Sequence, residues 1–354
     1  MNLFVADPHW YGWVVAYFFL GGIAAGAYLL ACLIEWFGTD DDARLARVAH
    51  WIALPLILLC AVFLIVDLHR PERFWHMIFK SEVTKQAFAE GFPFTATGWR
   101  WAADSLMFKP WSPMSSGSWG LSVFGACAAV SFLVAVRPHW RAVRWINRPW
   151  VMHAVRAVGV LAAVYVGSYT GALLSATSQP VWSDTTWLSP LFLASSVSTG
   201  LAAMVLLARW KRVGTPEARH KLESADLWAV GLEAVLLAAF LVSLGAYLEP
   251  MMFTVSGNLL VFGTVLAGLA APLVIHRVYG ERGWSQAAAA VCVLIGGLCL
   301  RTGAVTVNAE LLARGPAAAA GISPEQTRRV GQPGADPGNR MPEVPSRTKL
   351  PGEP

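Results

Sequence analysis

Side chains that can exchange protons or bind carbonyl oxygens occur at two points of this otherwise apolar sequence. The first point is the string 67–73, which follows an apolar run and contains Asp67 and His69. The second is the stretch 165–179, where hydroxyl and amide side chains are dense for a lipid-facing helix. The candidates there are Tyr169, Ser175 and Gln179. A carboxyl or imidazole group beside a tyrosine can transfer protons, so the pattern predicts a pocket for a small polar group.

A quinone headgroup suits such a pocket. Its two carbonyl oxygens need hydrogen-bond donors, and its reduction or oxidation requires the transfer of two protons. Asp67, His69 and Tyr169 are therefore the candidate catalytic residues. Two simpler interpretations stay open: the hydroxyl groups bond only to helix carbonyls, or Asp67 forms an ion pair with Arg70 or Arg73.

The cysteine and histidine residues do not follow a metal-binding pattern. Five cysteines are scattered through the apolar runs without paired spacing, so we do not expect this protein to ligate an iron–sulfur cluster or zinc. The eight histidines fall near the ends of apolar runs or between them, whereas a membrane cytochrome needs facing histidines inside its bundle. The sequence thus predicts no haem and no metal in this chain.

Composition defines the class of protein that must position these residues. Of the 354 residues, 56% are hydrophobic and 14% are charged, whereas about a quarter are charged in soluble domains. Apolar runs long enough to cross a bilayer as helices recur along the sequence. The formal net charge of +5 comes from basic residues between these runs, so it indicates membrane orientation and not a nucleic-acid partner.

Eight apolar runs predict an all-α membrane protein with eight transmembrane helices, because a lipid-exposed backbone must satisfy its own hydrogen bonds. The expected spans are residues 10–36, 49–68, 119–136, 153–176, 187–208, 226–247, 257–279 and 284–304. Small residues recur at matching places in the first and fifth spans, at 21–26 and 195–200, and Phe18 matches Phe192. This repetition indicates two related four-helix bundles.

Charge bias between the spans predicts the orientation. The connections after the third and fifth spans are rich in arginine and lysine, so we expect them in the cytoplasm and both termini outside. The long loop 69–118 then lies on the outer face, and its aromatic residues are typical of an interfacial or partner-contacting layer. Residues 1–314 form the membrane domain, and the Pro-, Gly- and Ala-rich residues 315–354 are expected to be a disordered tail.

Glu35, Arg156, Glu233 and Arg301 are ionisable residues inside or near the predicted spans. Glu35 and Arg156 fall near cytoplasmic ends, where we expect their side chains to snorkel to the interface. Glu233 lies inside the sixth span, and Arg301 is expected at the outer end of the eighth. Because ionisable groups are costly in a bilayer, such residues mark a pathway or a buried pair.

Five short strings of the sequence together form a recognisable pattern. They are FLGGIAAGAYL at 19–29, DLHRPERF at 67–74, SPMSSGSW at 112–119, YTGALLSAT at 169–177 and GGLCLR at 296–301. In order and spacing they resemble the NrfD/PsrC family, the membrane subunits of polysulfide reductase-like complexes. The resemblance implies an eight-helix, haem-free, quinone-reactive subunit. It also implies an iron–sulfur subunit docked on the outer face, which in turn binds a molybdopterin catalytic subunit.

The resemblance also implies that the quinone binds near the outer face among the first four spans. The matching positions are Asp67, Arg70, Tyr169 and the small-residue face of the first span. With the polar end of the fourth span, the expected cofactor-binding residues are Gly22, Gly26, Arg70, Ser175 and Gln179. The quinone is expected to be menaquinone or ubiquinone, and the long loop to dock the iron–sulfur subunit. Family members commonly have glycine at the position of His69, so its proton-carrying role rests on its chemistry alone.

Two other functions stay open at this point, namely a secondary transporter and a proton-translocating membrane protein. A transporter built from inverted repeats needs halves of opposite orientation with interrupted helices that meet at the midplane. The similarity between the first and fifth spans preserves orientation, which favours the quinone-reactive subunit. The expected location is the cytoplasmic membrane of a bacterium, with lipid and the other reductase subunits as partners.

Overall fold

The computed structural model describes residues 10, 12–39, 42–68, 70–177, 179, 181–280 and 283–313. Within these ranges eight helices are long and apolar enough to cross a membrane, and no strand occurs. The prediction of an all-α protein with eight transmembrane helices is therefore confirmed. His69 and the tail 315–354 lie outside the described residues, so what was expected of them stays a prediction.

The spans are numbered first to eighth in order along the sequence. They are Gly12–Phe37, Ala43–Asp67, Pro113–Val136, Pro149–Ser175, Leu188–Trp210, Pro216–Ser243, Val255–Tyr279 and Gly283–Ala313. Several start before their apolar runs because their first turns have good helix-starting residues. The third and fourth begin with proline, and the Thr215 hydroxyl caps the sixth by accepting a bond from the Ala218 N–H at 3.2 Å.

The seventh span changes its helical geometry along its length. It consists of an α-helical turn at Val255–Asn258, a π-helical segment at Leu259–Ala270 and an α-helix at Ala271–Tyr279. Most π-helical segments are single turns inside α-helices and lie near functional sites. The middle of the seventh span therefore presents its side chains with a period different from that of its neighbours.

Short helices occupy the connections between spans. They are the 3₁₀ helix Pro71–Met77, the helices Ser81–Ala89, Ala96–Ser105 and Arg141–Ile146, the 3₁₀ helix Gly245–Tyr247 and the helix Leu248–Met252. The long connection before the third span is thus folded. Backbone bonds from Lys80 to Ser105 and from Met107 to Ile78, both 2.7 Å, close it on itself.

The spans pack as two rings of four helices. In the first bundle, spans one to four each contact the next span, and the fourth closes on the first; spans five to eight form the second bundle in the same way. The bundles meet where the first span packs on the fifth, flanked by contacts of the fourth with the fifth and of the first with the eighth. The predicted pair of four-helix bundles is therefore confirmed.

Close backbone contact joins the first and fifth spans, which cross the bilayer in the same direction. A Cβ atom at Gly26 would lie 1.9 Å from the carbonyl oxygen of Ser196, and one at Gly200 would lie 2.6 Å from the Gly26 carbonyl carbon. Phe18 and Phe192 meet edge to face with ring centroids 6.3 Å apart. Small residues spaced four apart permit such close packing of membrane helices. The matching positions of the two halves therefore pack against each other.

The two ends of the bundles differ in chemistry. One end, called the loop face below, carries the connection 70–112 and the first residue of the first span, Gly12. The other end, called the arginine face, carries the connection 137–148 after the third span and the connection after the fifth. Since each span reverses the direction of the backbone, Ala313 at the end of the eighth span lies on the loop face with Gly12.

An ion pair on the arginine face ties the two bundles together. The Asp42 carboxylate, before the second span, lies 3.0 Å from the Lys221 amino group of the sixth. It also accepts bonds from the N–H and the hydroxyl of Thr39, each at 3.0 Å. The Thr39 backbone bond and the Lys221 cation hold the pKa of Asp42 below its usual value. The pair therefore stabilises the folded protein while Asp42 is ionised.

We expect Gly26→Ala to destabilise the protein by about 1–3 kcal/mol, because the added methyl group meets backbone of the fifth span that cannot move independently. The measurement is the apparent melting temperature of the full chain in detergent. Gly125→Ala is the matched control, since a Cβ there has no atom within 4 Å and alanine favours the helix. A Gly26→Ala variant as stable as wild type would contradict the close packing of the two bundles.

Acid should weaken the Asp42 contact. Its pKa is lower in the folded than in the unfolded protein, so its stabilisation is complete above about pH 4 and is lost as the pH falls through the folded value. We expect the melting temperature of the wild type to drop more on acidification than that of Asp42→Asn. Equal drops in the two proteins would mean that Asp42 contributes nothing to the pH dependence.

Candidate functional site

Tyr169 is held rigidly between the third and fourth spans. Its hydroxyl donates a 2.6 Å hydrogen bond to the carbonyl of Pro113, and its ring stacks on Tyr165 with centroids 5.4 Å apart. Glycines of the third span make room for both rings. A Cβ at Gly117 would lie 2.2 Å from the Tyr169 hydroxyl, and one at Gly120 would lie 2.4 Å from the Tyr165 ring. The strings 112–119 and 169–177 of the sequence thus meet in one contact.

A third tyrosine, which sequence reasoning missed, completes a cluster. Tyr17 of the first span is buried and lies close enough to Tyr165 and Tyr169 to interact with them electrostatically. The Cys60 thiol of the second span donates to the Tyr17 carbonyl at 3.6 Å. Nothing marks Tyr17 within its apolar run, so only the packing reveals it. We call Tyr17, Tyr165 and Tyr169 the tyrosine cluster; it lies inside the first bundle toward the loop face.

Asp67 lies above the tyrosine cluster at the last residue of the second span, where it is partly exposed. One turn earlier, Phe63 packs on Trp13 of the first span with ring centroids 5.4 Å apart. Two turns earlier is Cys60, which contacts Tyr17. At 1.5 Å per residue, Asp67 is about 10 Å nearer the loop face than Cys60. A carboxyl group and the tyrosine cluster therefore lie at successive depths along the interface between the first two spans, toward the loop face.

Arg70 follows Asp67 in a non-helical conformation and is exposed on the loop face. The backbone then enters the 3₁₀ helix Pro71–Met77, which contacts the ends of the second and third spans. His69, expected to carry protons at the quinone site, lies outside the described residues. The predicted site residues of this string that the structure describes therefore sit at the mouth of the first bundle and not in its interior.

Ser175 and Gln179 lie at the end of the fourth span, on the side of the second bundle. The Ser175 hydroxyl donates to the carbonyls of Gly171 at 3.1 Å and Thr185 at 3.4 Å, and Gln179 is buried. The Thr185 hydroxyl in turn bonds the hydroxyl of Ser243 at 2.7 Å. These hydroxyls tie the end of the fourth span to the following connection and to the sixth span. A role for Ser175 and Gln179 in binding a cofactor stays a prediction.

Gly22 and Gly26, expected to bind the cofactor, lie where the two bundles meet. A Cβ at Gly22 would lie 2.4 Å from a guanidinium nitrogen of Arg301 and 2.8 Å from the Ser196 hydroxyl. Gly26 lies against the backbone of the fifth span as described above. Protein atoms thus fill the space beside both glycines, which accounts for their small size by packing. A role for them in binding a cofactor stays a prediction.

Arg301 lies in the middle of the eighth span and not at its outer end as the sequence suggested. The expectation was wrong because the helix continues through polar residues to Ala313. The fully buried guanidinium donates to the carbonyls of Phe18 and Gly297, both at 3.1 Å, and to the hydroxyls of Ser195 at 2.9 Å and Ser196 at 3.1 Å. The eighth span is thereby bonded to the first and the fifth.

The sequence suggested that the side chains of Glu35 and Arg156 snorkel separately to the interface. In the structure they form an ion pair instead. Their side chains meet at 2.6 Å on the arginine side of the first bundle. His50 of the second span adds a 3.2 Å contact to the same carboxylate. The expectation failed because each partner stands on a different span, and burial makes pairing preferable to separate exposure.

The loop face carries a surface of exposed aromatic side chains. Phe94 is 92% exposed and Trp111 is 78% exposed. The others are Phe74, Phe88, Trp99, Trp101 and Phe108. An indole bond from Trp119 to the Met107 carbonyl at 3.0 Å anchors this connection on the third span. The surface is thus displayed on a folded platform next to the mouth of the first bundle.

The described residues contain no group of side chains arranged to bind a metal ion. No cluster of three or more His, Cys, Asp and Glu side chains occurs there that could hold a metal ion. All five cysteines are free thiols. Within the described residues, the scattered cysteines and histidines therefore do not come together at one site.

Comparison with known proteins identifies relatives over most of the sequence. Residues 2–308 match the family model described as "Polysulphide reductase, NrfD". The C component of polysulfide reductase from Wolinella succinogenes is 26% identical over 82% of this chain and 92% of its own length. Protein NrfD of Escherichia coli is 25% identical over 66% of this chain and 70% of its own.

A further relative is the C component of tetrathionate reductase from Salmonella typhimurium, 26% identical over 66% of this chain. The chain spans only 58% of the length of that relative, and the similarity to the C component of selenate reductase from Mesobacillus selenatarsenatis covers only 18% of that protein. The family match, in contrast, covers all but the last turns of the eighth span and the tail. With its eight transmembrane helices, the chain therefore belongs to the NrfD family of polysulphide reductase membrane proteins.

Proposed function

We propose that this chain is the quinone-reactive membrane subunit of a reductase complex. It exchanges two electrons and two protons with the membrane quinone pool, menaquinone or ubiquinone, and the electrons pass to or from an iron–sulfur cluster of a partner. The observation that carries the proposal is the tyrosine cluster beneath Asp67 in the first bundle. It combines buried aromatic walls with ionisable groups near one membrane face, which suits a quinone headgroup.

The names of the relatives support a role in a complex. Three of them are named as single components of tetrathionate, selenate and polysulfide reductases. A protein that is one component of a reductase works beside others that handle the substrate. We infer that the partners here are an iron–sulfur subunit and a molybdopterin catalytic subunit, as the family resemblance implies.

The residues of the site have separate tasks in this proposal. A bound quinone supplies the two-electron chemistry. Tyr169, fixed by its bond to Pro113 and by the space at Gly117, holds its phenol at one position, which lowers the cost of orienting a polar ligand. Asp67, partly exposed at the loop face, exchanges protons with water outside the bundle. Arg70, exposed at the mouth, adds a positive charge beside the entrance of the site.

The loop face is the outer face in this proposal, and the protein lies in the cytoplasmic membrane of a bacterium. The arginine face carries Arg137, Arg141, Arg144 and Arg148 in a single short connection. Short cytoplasmic connections of membrane proteins are enriched in such residues. The aromatic surface 74–111 then faces outward, where it docks the iron–sulfur subunit over the mouth of the first bundle.

A transporter with inverted repeats fits the arrangement less well. The first and fifth spans run in the same direction and pack side by side through matching residues. Inverted repeats would require their counterparts to run in opposite directions. The parallel relation of the two bundles therefore favours the reductase subunit.

We expect Gly117→Ala to lower quinone-linked electron transfer at least about tenfold, because the added methyl group displaces the Tyr169 hydroxyl that the site needs. The measurement is oxidation of a quinol analogue by membranes that contain the assembled complex. Gly125→Ala, on the same span but without neighbours, is the matched control and should keep the wild-type rate. Normal activity of Gly117→Ala with its tyrosine displaced would argue against the site.

Asp67→Asn should also reduce the rate by about tenfold or more, since an amide cannot exchange the proton. Tyr169→Phe tests the phenol in the same assay, and Tyr279→Phe on the arginine face is its control. If Asp67→Asn and Tyr169→Phe both assembled normally and turned over at the wild-type rate, quinone chemistry would lie elsewhere or be absent.

Alkaline phosphatase fused after Ala313 should be active, because the enzyme needs the oxidising side of the membrane. A fusion after Ile146, on the arginine face, should be inactive. The opposite pair of results would invert the orientation and move the candidate site to the cytoplasmic side.

A further inference from the structure

Carboxyl groups line one side of the sixth span within the second bundle. Asp226 is 7% exposed and Glu233 is 4% exposed, although both lie in a membrane-spanning helix. They are about two turns apart, so they lie on the same helix face, roughly 10 Å from each other. A buried carboxyl group in a spanning helix is costly and indicates a functional role unless it is fully paired.

Polar side chains of two neighbouring spans lie close to the Glu233 carboxyl group. The Ser195 hydroxyl of the fifth span and the Arg301 guanidinium of the eighth interact with its carboxyl group. The buried Ser198 hydroxyl of the fifth span has no hydrogen-bond partner among the described residues. Arg301 is also bonded to Ser195 and to the Phe18 carbonyl of the first span. Glu233 therefore sits next to the group that joins the two bundles.

Asp226 is the less satisfied of the two acids. Its Oδ1 atom is buried and makes no hydrogen bond within the part of the protein that the structure describes. Glu223, one turn nearer the arginine face, bonds Gln286, which also bonds Arg209. Arg209 is thus engaged away from Asp226. A buried carboxylate oxygen of this kind is stabilised either by a hydrogen bond from water or by protonation of the carboxyl group.

The charged and titratable groups around Asp226 come from three spans. Its own helix contributes Glu223 and Glu233. Arg209 of the fifth span is linked to Glu223 through Gln286, and Arg301 of the eighth span interacts with Glu233. The titratable residues of the seventh span are His276, Arg277 and Tyr279, all in its last turn or two at the arginine face. Most of the charge near Asp226 is therefore negative, and the single deep cation among the described residues of these spans is Arg301.

Unpartnered polar groups continue beyond Arg301 toward the loop face. Asn308, about two turns further along the same face of the eighth span, is buried, and neither its amide nitrogen nor its oxygen has a partner among the described residues. Thr264, in the π-helical segment of the seventh span, is also buried with an unpartnered hydroxyl. Buried polar groups of proteins are normally hydrogen-bonded, often to internal water. Buried polar groups without partners among the described residues thus occur along much of the second bundle, and internal water would satisfy them.

We propose that the second bundle contains a hydrated proton-binding file that runs from Glu223 through Asp226 and Glu233 to Arg301 and Asn308. Asp226 and Glu233 are its proton-binding groups, and they exchange protons with water at the arginine face. In each step one O–H bond breaks in water and one forms on a carboxylate oxygen, and no electrons move. The file is separate from the quinone site of the first bundle and does not depend on it.

Infrared spectroscopy of the full chain in liposomes tests the proposal. Lowering the pH from about 9 to about 4 should produce a carbonyl stretching band of protonated carboxyl groups that shifts in heavy water. Asp226→Asn and Glu233→Gln should each remove part of this band. Glu249→Gln, which replaces an exposed acid on the loop face, should leave those parts of the band unchanged. Asp226→Glu should restore the band at a shifted frequency, which separates loss of the carboxyl group from loss of fold.

Three results would overturn the file. Spectra of Asp226→Asn and Glu233→Gln that match wild type would mean that neither carboxyl group takes up a proton. A band that does not respond to heavy water would mean that no water reaches the carboxyl groups. A band that disappears on addition of sodium, but not potassium, at constant pH would assign the site to a metal cation instead of a proton.

Discussion

A bilayer interior supplies no water to a polar group, so a charge placed there must be satisfied by the protein itself. Arg301 meets this constraint at the centre of the molecule. Its guanidinium donates to carbonyls and hydroxyls of three spans, and it lies 5.6 Å from the Phe192 ring centroid. Gly22 lacks a side chain where the guanidinium needs space. The close packing of the first and fifth spans and the placement of this cation therefore require each other.

In the first bundle, too, a glycine on one span makes room for a large side chain of another span. Tyr169 and Tyr165 fit only because the third span has Gly117 and Gly120 opposite them, and Tyr28 fits because the fourth span has Gly159. In each case a glycine on one span receives a large polar aromatic ring from another. Phenol groups thereby enter an apolar interior at fixed positions without opening the packing. Aromatic groups held in this way can orient a ligand at little entropic cost.

Hydrophobic run length predicted the eight spans and their order, because the thickness of a bilayer fixes the length of a helix that crosses it. The two bundles could be predicted from the repeated small residues, since these have a direct meaning for helix packing. The side-chain pairings between distant spans could not be predicted from the sequence. The attraction between Arg301 and Glu233, the Glu35–Arg156 ion pair and the place of Tyr17 all depend on how helices rotate about their axes. The sequence does not record that rotation in runs of polar and apolar residues.

Arg301 also gives the two bundles a physical means of influencing each other. It bonds the carbonyl of Phe18, the residue after Tyr17, while its charge faces Glu233. A proton on Glu233 removes the negative charge that attracts the guanidinium, which leaves Arg301 free to bond more strongly to the first span. Linkage requires the reverse effect as well, so a stronger bond between Arg301 and the Phe18 carbonyl raises the proton affinity of Glu233 by the same free energy. Because one side chain makes both contacts, the proton file proposed for the second bundle and the redox site proposed for the first are coupled in this scheme without the movement of a helix.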